Sequence, residues 1–194
     1  MQDLVHRQIQ QNYSRDTVIS PGDPEVSVRA ATPGDEERLR GMFSRLSLET
    51  IYRRFHLPYP RVPERTLALM LDVDHQDKES FLAIVGGEEV VGHAMYVRSD
   101  NARVAEVAFV IEDRWQSKGV GRLLLSQIAE GARIRGVEYF IGEVLGENRR
   151  VLGLLNAVFS EVRYVMRDGL YHFRVPLQTL KPAVDSARIL RRTA

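Results

Sequence analysis

The residues best suited to chemistry lie in one stretch, Val107-Ala-Phe-Val-Ile-Glu-Asp-Arg-Trp-Gln116-Ser-Lys-Gly119-Val-Gly121-Arg-Leu-Leu-Leu. An apolar run of strand character delivers the chain to Gln116-Ser117-Lys118-Gly119-Val120-Gly121-Arg122. There two glycines let the backbone come close to a ligand, and a stripe of helical spacing follows. A helix that opens at this point offers unpaired N–H groups and the positive end of its dipole, which is the physics of an anion site suited to a pyrophosphate. Lys118 adds a full positive charge beside it. Two other glycine motifs do not fit. Leu124 stands where a dinucleotide fingerprint needs glycine or alanine, and the Gly-Lys-Ser/Thr of a P-loop is missing.

Such a turn has to be held by a strand before it and a helix after it, and the hydrophobic pattern supplies both. Arg103 to Ile111 reads as a strand, and Gly119 to Arg135 places Val120, Leu124, Ile128 and Ala132 on one helical face, with Gly136 closing the helix. Upstream, Glu25 to Ala30 reads as a short strand. Helices are predicted from Thr32-Pro33, over Ser47 to Phe55, and from Pro63 to Leu71. Phe81 to Val85 and Val90 to Val97 form a hairpin around Gly86-Gly87. Downstream come a strand, Val137 to Leu145, a helix, Asn148 to Phe159, and a hairpin of Val162 to Arg167 and Leu170 to Val175 around Asp168-Gly169. This order predicts an α/β (mixed α+β) sheet with helices on its faces.

Composition narrows the classes of function. The 194 residues suit one domain, expected over 25–177, with a polar lead-in over 1–24 and a tail over 178–194 that carries Arg188, Arg191 and Arg192 at helical spacing. Lys plus Arg number 27 against 26 Asp plus Glu, so no overall field draws in nucleic acid or an anionic membrane, and an anionic ligand must be held locally. With no cysteine, disulfides, thiolate metal sites and cysteine nucleophiles are all excluded. The chain shows neither a signal-peptide core nor an apolar stretch of membrane-spanning length, so a cytoplasmic location is expected.

The turn Gln116 to Gly121 resembles the Q/R-x-x-G-x-G/A turn of the GNAT acyltransferase superfamily, and the order of elements resembles that family across 25–177. Two further stretches, Leu46-Ser-Leu-Glu-Thr-Ile-Tyr-Arg-Arg-Phe55 and Val144-Leu-Gly-Glu-Asn148-Arg-Arg-Val151, resemble the bacterial protein lysine acetyltransferases of the Pat type. The resemblance implies a mostly antiparallel central sheet of about seven strands with helices on both faces. It implies acetyl-CoA as donor, no metal, and as acceptor an exposed lysine on a metabolic protein, acyl-CoA synthetases above all. By the same resemblance, backbone groups of Phe109, Val110 and Ile111 pair with the pantetheine arm and hold the thioester carbonyl. Gln116, Ser117, Lys118, Gly119, Val120, Gly121 and Arg122 cradle the pyrophosphate, and Asn148 contacts the pantetheine side. Each also has a plainer reading: apolar residues in any central strand, glycines shaping a turn, and an N-cap at Asn148.

Transfer to an amine needs a base, since a free lysine titrates near ~10.4. Glu106 is the candidate. It matches the glutamate before Val-Ala-Phe in Pat-like enzymes, and by the period of two it shares a face with Val104, Ala108 and Val110, an apolar setting that should raise its pKa. The plainer reading is a solvated carboxylate or one paired with an arginine. The tyrosine with which many GNAT enzymes protonate the thiolate is replaced at the aligned position by Leu155, which leaves the general acid unassigned; Tyr164 and Tyr171 are the nearest guesses. Without cysteine or a serine elbow, direct attack on the thioester is expected rather than an acyl-enzyme on Ser117.

Other residues are read as structural. His6, His56, His75, His93 and His172 lack metal-ligand spacing, Asp72, Asp74 and Asp77 suit a solvated turn, and Trp115 suits packing. Arg53-Arg54 and Arg149-Arg150 read as helix-surface charges, with the 3′-phosphate of CoA as a further possibility for either pair. Two other functions stay open: acetylation of a small amine such as a polyamine, amino acid or aminoglycoside, and a non-catalytic acyl-CoA-binding module. The oligomeric state is not legible in the sequence.

Overall fold

The computed structural model describes residues 24–57 and 59–182. The polar lead-in up to 23 and the tail from 183 on, with Arg188, Arg191 and Arg192, lie outside the described residues. Among the described residues seven strands form one sheet: β1 (Val26–Ala30), β2 (Lys78–Val85), β3 (Glu89–Arg98), β4 (Val104–Ile111), β5 (Tyr139–Leu145), β6 (Arg163–Arg167) and β7 (Leu170–Pro176). Their spatial order is β1-β2-β3-β4-β5-β7-β6. Every neighbouring pair is antiparallel except β4–β5, which is parallel and therefore needs a crossover between its strands.

Among the described residues five helices cover the sheet: α1 (Glu36–Ser44), α2 (Leu48–Phe55), α3 (Glu64–Leu71), α4 (Val120–Ile134) and α5 (Arg149–Val158). The crossover is α4, which buries Val120, Leu124, Ile128 and Ala132 along one stripe, as its spacing predicts. With α5 it covers one face and packs on Val107, Ile111, Phe140 and Val144. The opposite face is covered by α1, α2 and α3 through Leu39, Met42, Ile51, Leu67 and Met70, which meet Leu82, Ile84 and Val110 of the sheet. Odd-numbered residues of β4 thus point toward α4, and Val110 points toward α1–α3.

Helix starts follow local chemistry. Thr32 and Pro33 open a 3-10 turn into α1, and Ser47 caps α2 by accepting from the Thr50 N–H. Strand β2 begins at Lys78, three residues before its apolar run, because the buried Glu79 is ion-paired with Arg135 at 2.7 Å and can enter the sheet.

The seam between β4 and β5 positions the site. The two strands pair only over Val104–Glu106 and Tyr139–Ile141 and then diverge, although each continues for several residues. Gly142 marks the parting point: a Cβ there would lie 2.7 Å from the Phe173 ring and 3.0 Å from the Val107 carbonyl oxygen. No helix among the described residues is long and apolar enough to cross a membrane.

Candidate active site

Beyond Glu106, β4 keeps β3 on one edge and, among the described residues, has no strand opposite its other edge. The Glu112 N–H bonds to the Val91 carbonyl at 2.9 Å, which fixes the phase of the antiparallel ladder. By alternation, the backbone groups of Val110 are spent on His93, whereas those of Val107, Phe109 and Ile111 turn toward the splay. The three residues expected to engage a ligand through their backbones are thus divided. Phe109 and Ile111 present their groups to the opening, and Val110 contributes its side chain to the wall.

The splay opens into a cleft of about 390 Å³, lined by Phe109, Val110 and Ile111 of β4, by the turn before α4, by Thr50, Arg53 and Arg54 of α2, and by Asn148, Val151 and Leu154 at α5. The turn has the conformation that its glycines permit. Ser117 and Gly119 have φ of 62° and 91°, so position 119 favours glycine. At Gly121 a Cβ would meet Leu154 at 3.1 Å, so a bare backbone keeps α4 clear at the cleft wall.

The helix end itself is left open. No side chain caps α4, no acidic residue lies in its first turn, and the first N–H groups of any helix lack intrahelical partners. Gln116, Ser117, Gly119, Gly121 and Arg122 all line the cleft beside that end. Two turn residues turn only their side chains away from it. Val120 is fully buried beneath the helix, and the Lys118 ammonium lies 5.0 Å above the ring of the buried Trp115.

One network locks the turn to its neighbours. The Gln116 side chain donates to the Ile111 carbonyl at 3.1 Å and to the Thr50 hydroxyl at 3.2 Å, and accepts from Arg150 at 2.9 Å. The Thr50 and Ser47 hydroxyls donate to Asp113 at 2.8 and 2.7 Å, and the Ser47 N–H does so at 2.9 Å. Burial pushes the Asp113 carboxyl up, but these hydrogen bonds outweigh it and hold the group below its ordinary value. This clamp was missed in the sequence. Ser47 and Thr50 lie 66 and 63 residues from Asp113, and the only hint was a polar Thr50 on the inner side of an amphipathic helix.

Asn148 lines the cleft, and its Oδ1 accepts from the Val151 N–H at 3.3 Å, the N-cap of its plainer reading. Leu155 is fully buried in the core under α4, so its side chain does not enter the cleft. Tyr164 turns its hydroxyl to the Leu152 carbonyl, and burial holds its pKa above the ordinary phenol value. Among the described residues no tyrosine lines the cleft.

Glu106 lies on β4 between Val97 of β3 and Ile141 of β5, at the point where the seam ends. It is exposed, so the apolar setting expected for it is absent. Arg54 lies near enough for its charge to interact with that of Glu106. Arg54 is accordingly not the helix-surface charge expected of it. It is half-buried in the cleft wall, and burial pushes its guanidinium down to about 10 despite the opposing pull of Glu106. Arg53 also lines the cleft and pairs with Glu49 at 2.5 Å. Beneath them His93 is fully buried, with Nε2 2.9 Å from the Ser80 hydroxyl; burial first, then the charge of Arg54, pushes it down to about 3.

Comparison with known proteins agrees with this geometry. The acetyltransferase (GNAT) family model matches residues 45–158. Acetyltransferase Pat of Mycolicibacterium smegmatis is 35% identical over 138 residues, which is 68% of this chain and 41% of that protein. The chain thus spans about two-fifths of that relative's length. The GNAT domain of S. lividans PAT superposes with a TM-score of 0.77 at 29% identity, covering 85% of this chain and 97% of that one. A spermidine N-acetyltransferase from Vibrio cholerae, solved with CoA and spermine, has a TM-score of 0.62 over 79% of this chain and 96% of its own. At 15% identity that likeness concerns the fold alone.

Proposed function

The chain belongs to the acetyltransferase (GNAT) family, and from that premise we propose that it moves an acetyl group from acetyl-CoA to a lysine side chain of a metabolic protein. The observation that carries this reading is the joining, in one cleft, of the open edge of β4 and the uncapped N-terminus of α4. An extended amide-bearing arm pairs with the Phe109 backbone as a short added strand would, and its pyrophosphate meets the helix end. The thioester then lies along β4 toward Glu106. Two readings meet there: N–H groups of the open edge stabilise the oxyanion, and Glu106 takes the amine proton.

The proton and bond balance is simple. The amine nitrogen bonds to the carbonyl carbon, the C–S bond breaks, and the proton lost by the amine ends on the thiolate. A thiol titrates near ~8.5, so the thiolate leaves without a dedicated acid, which suits a cleft that no tyrosine among the described residues lines. Glu106 as an exposed base suits an acceptor that arrives from outside on a flexible side chain. A polycationic acceptor is disfavoured by the Arg54 charge beside Glu106. Likeness to the Pat proteins supports a protein acceptor.

The test is release of CoA from acetyl-CoA with a panel of candidate proteins that includes an acyl-CoA synthetase, for the wild type and Glu106→Gln. The expected result is turnover with a protein acceptor that falls at least ~100-fold in the variant while acetyl-CoA affinity holds. Turnover with small amines alone would replace the protein acceptor, and donor binding with no turnover on any amine would leave a binding module.

A further inference from the structure

Arg54 is the group in the cleft that the proposed acetyl transfer does not use. It forms no hydrogen bond or ion pair with any described residue; its one close partner is the face of the Phe55 ring, 5.0 Å away. Its Nε is shut off from solvent with no hydrogen-bond partner, and so is Nδ1 of His93 on the strand below. A buried N–H left unpaired costs roughly 1–3 kcal/mol, so a ligand that satisfies it binds with that advantage.

The place of Arg54 along the cleft says which part of a donor it meets. Thr50, bound to Gln116, marks the phosphate end of α2. Arg54 is one turn further on, displaced by about 6 Å along the helix axis. It lines the cleft with Phe109, Val110 and Ile111, and it interacts with the Glu106 charge without forming an ion pair to it. That is the acyl end of the cleft, away from the pyrophosphate. A guanidinium offers a planar fork of donors that matches a carboxylate.

We propose that Arg54 forms a carboxylate subsite at the acyl end of the cleft, so that the enzyme accepts dicarboxylic acyl-CoA donors of the succinyl type as well as acetyl-CoA. This rests on the donor reading given above. The transfer is unchanged in balance: the acceptor nitrogen bonds to the thioester carbon, the C–S bond breaks, the amine proton passes to the thiolate, and the distal carboxylate stays intact on Arg54. The carboxylate belongs to the donor; an amino-acid acceptor would present the same chemistry, and binding measured without acceptor separates the two.

The experiment is calorimetric titration of the full chain, without acceptor, with CoA, acetyl-CoA, succinyl-CoA and the neutral primary-amide analogue of succinyl-CoA. Succinyl-CoA is expected to bind the wild type at least as tightly as acetyl-CoA and at least tenfold more tightly than its amide analogue. Arg54→Gln should raise the ratio of the succinyl-CoA to the acetyl-CoA Kd tenfold or more, and Arg54→Lys should raise it less. Equal affinity for succinyl-CoA and its amide on the wild type overturns the subsite without any variant. So does an equal loss for all four ligands in Arg54→Gln, which would make Arg54 a phosphate anchor. If none of the four binds, the donor reading itself fails.

Discussion

A glutamine at position 116 lets one side chain act in both senses. Its amide nitrogen donates to the Ile111 carbonyl and the Thr50 hydroxyl, and its oxygen accepts from Arg150. Glutamate, of the same shape, keeps only the acceptor and places a negative charge at the mouth of an anion site. Two lost hydrogen bonds at about 1 kcal/mol each, with ~1.4 kcal/mol per tenfold, predict that Gln116→Glu weakens acetyl-CoA binding by roughly tenfold or more. Added repulsion pushes in the same direction, and the loss should shrink at high salt to the extent that it is coulombic. Titration of acetyl-CoA at two ionic strengths checks both parts. Unchanged affinity would mean that the turn holds its shape without the clamp.

At the scale of elements, the narrow seam between β4 and β5 decides where the site is. Gly142 stands at its end, with Phe173 and the Val107 carbonyl too close for any side chain. Gly142→Ala is expected to cost about 1–3 kcal/mol in urea unfolding, as overpacking does, and to weaken donor binding because the shifted Val107 borders the splay. Gly153→Ala is the matched control: a Cβ there meets nothing within 4 Å, and in the helix interior it should stabilise by roughly 0.5–1 kcal/mol. These elements differ in how legible they were in the sequence. The stripe on α4 and the hairpin glycines announced themselves through period and φ, and both stand where expected. The splay did not, because alternation along a strand reports which face a side chain takes and not where two parallel strands part. Glu106 shows the same limit. Its face was readable, but the charge that acts on it is that of Arg54, carried by a helix about fifty residues earlier in the chain.

The whole molecule is two blocks of sheet joined at that seam. On one side β1 to β4 pair in an antiparallel run, on the other β5 pairs with β7 and β7 with β6, and between them stand three register pairs. The α4 crossover adds its packing on both blocks through Val107, Phe140 and Val144. A donor in the splay would add hydrogen bonds to Phe109 and Ile111 where no strand supplies them, and so strengthen the weakest join of the sheet. Binding to the native state alone contributes RT ln(1 + [L]/Kd), about 2.7 kcal/mol at a hundredfold excess over Kd. For a domain of this size that predicts a rise in Tm of roughly 5–10 °C, at 2–4 °C per kcal/mol. The distribution of the effect is the sharper prediction. Amide hydrogen exchange should slow most at Phe109, Ile111, Val120 and Gly121, and little at Phe81 to Val85, whose partners are already in place on both sides. Protection spread evenly over both blocks would mean that the donor acts only by mass action. Protection confined to the helix end would mean that the phosphates bind there while the pantetheine arm stays off β4.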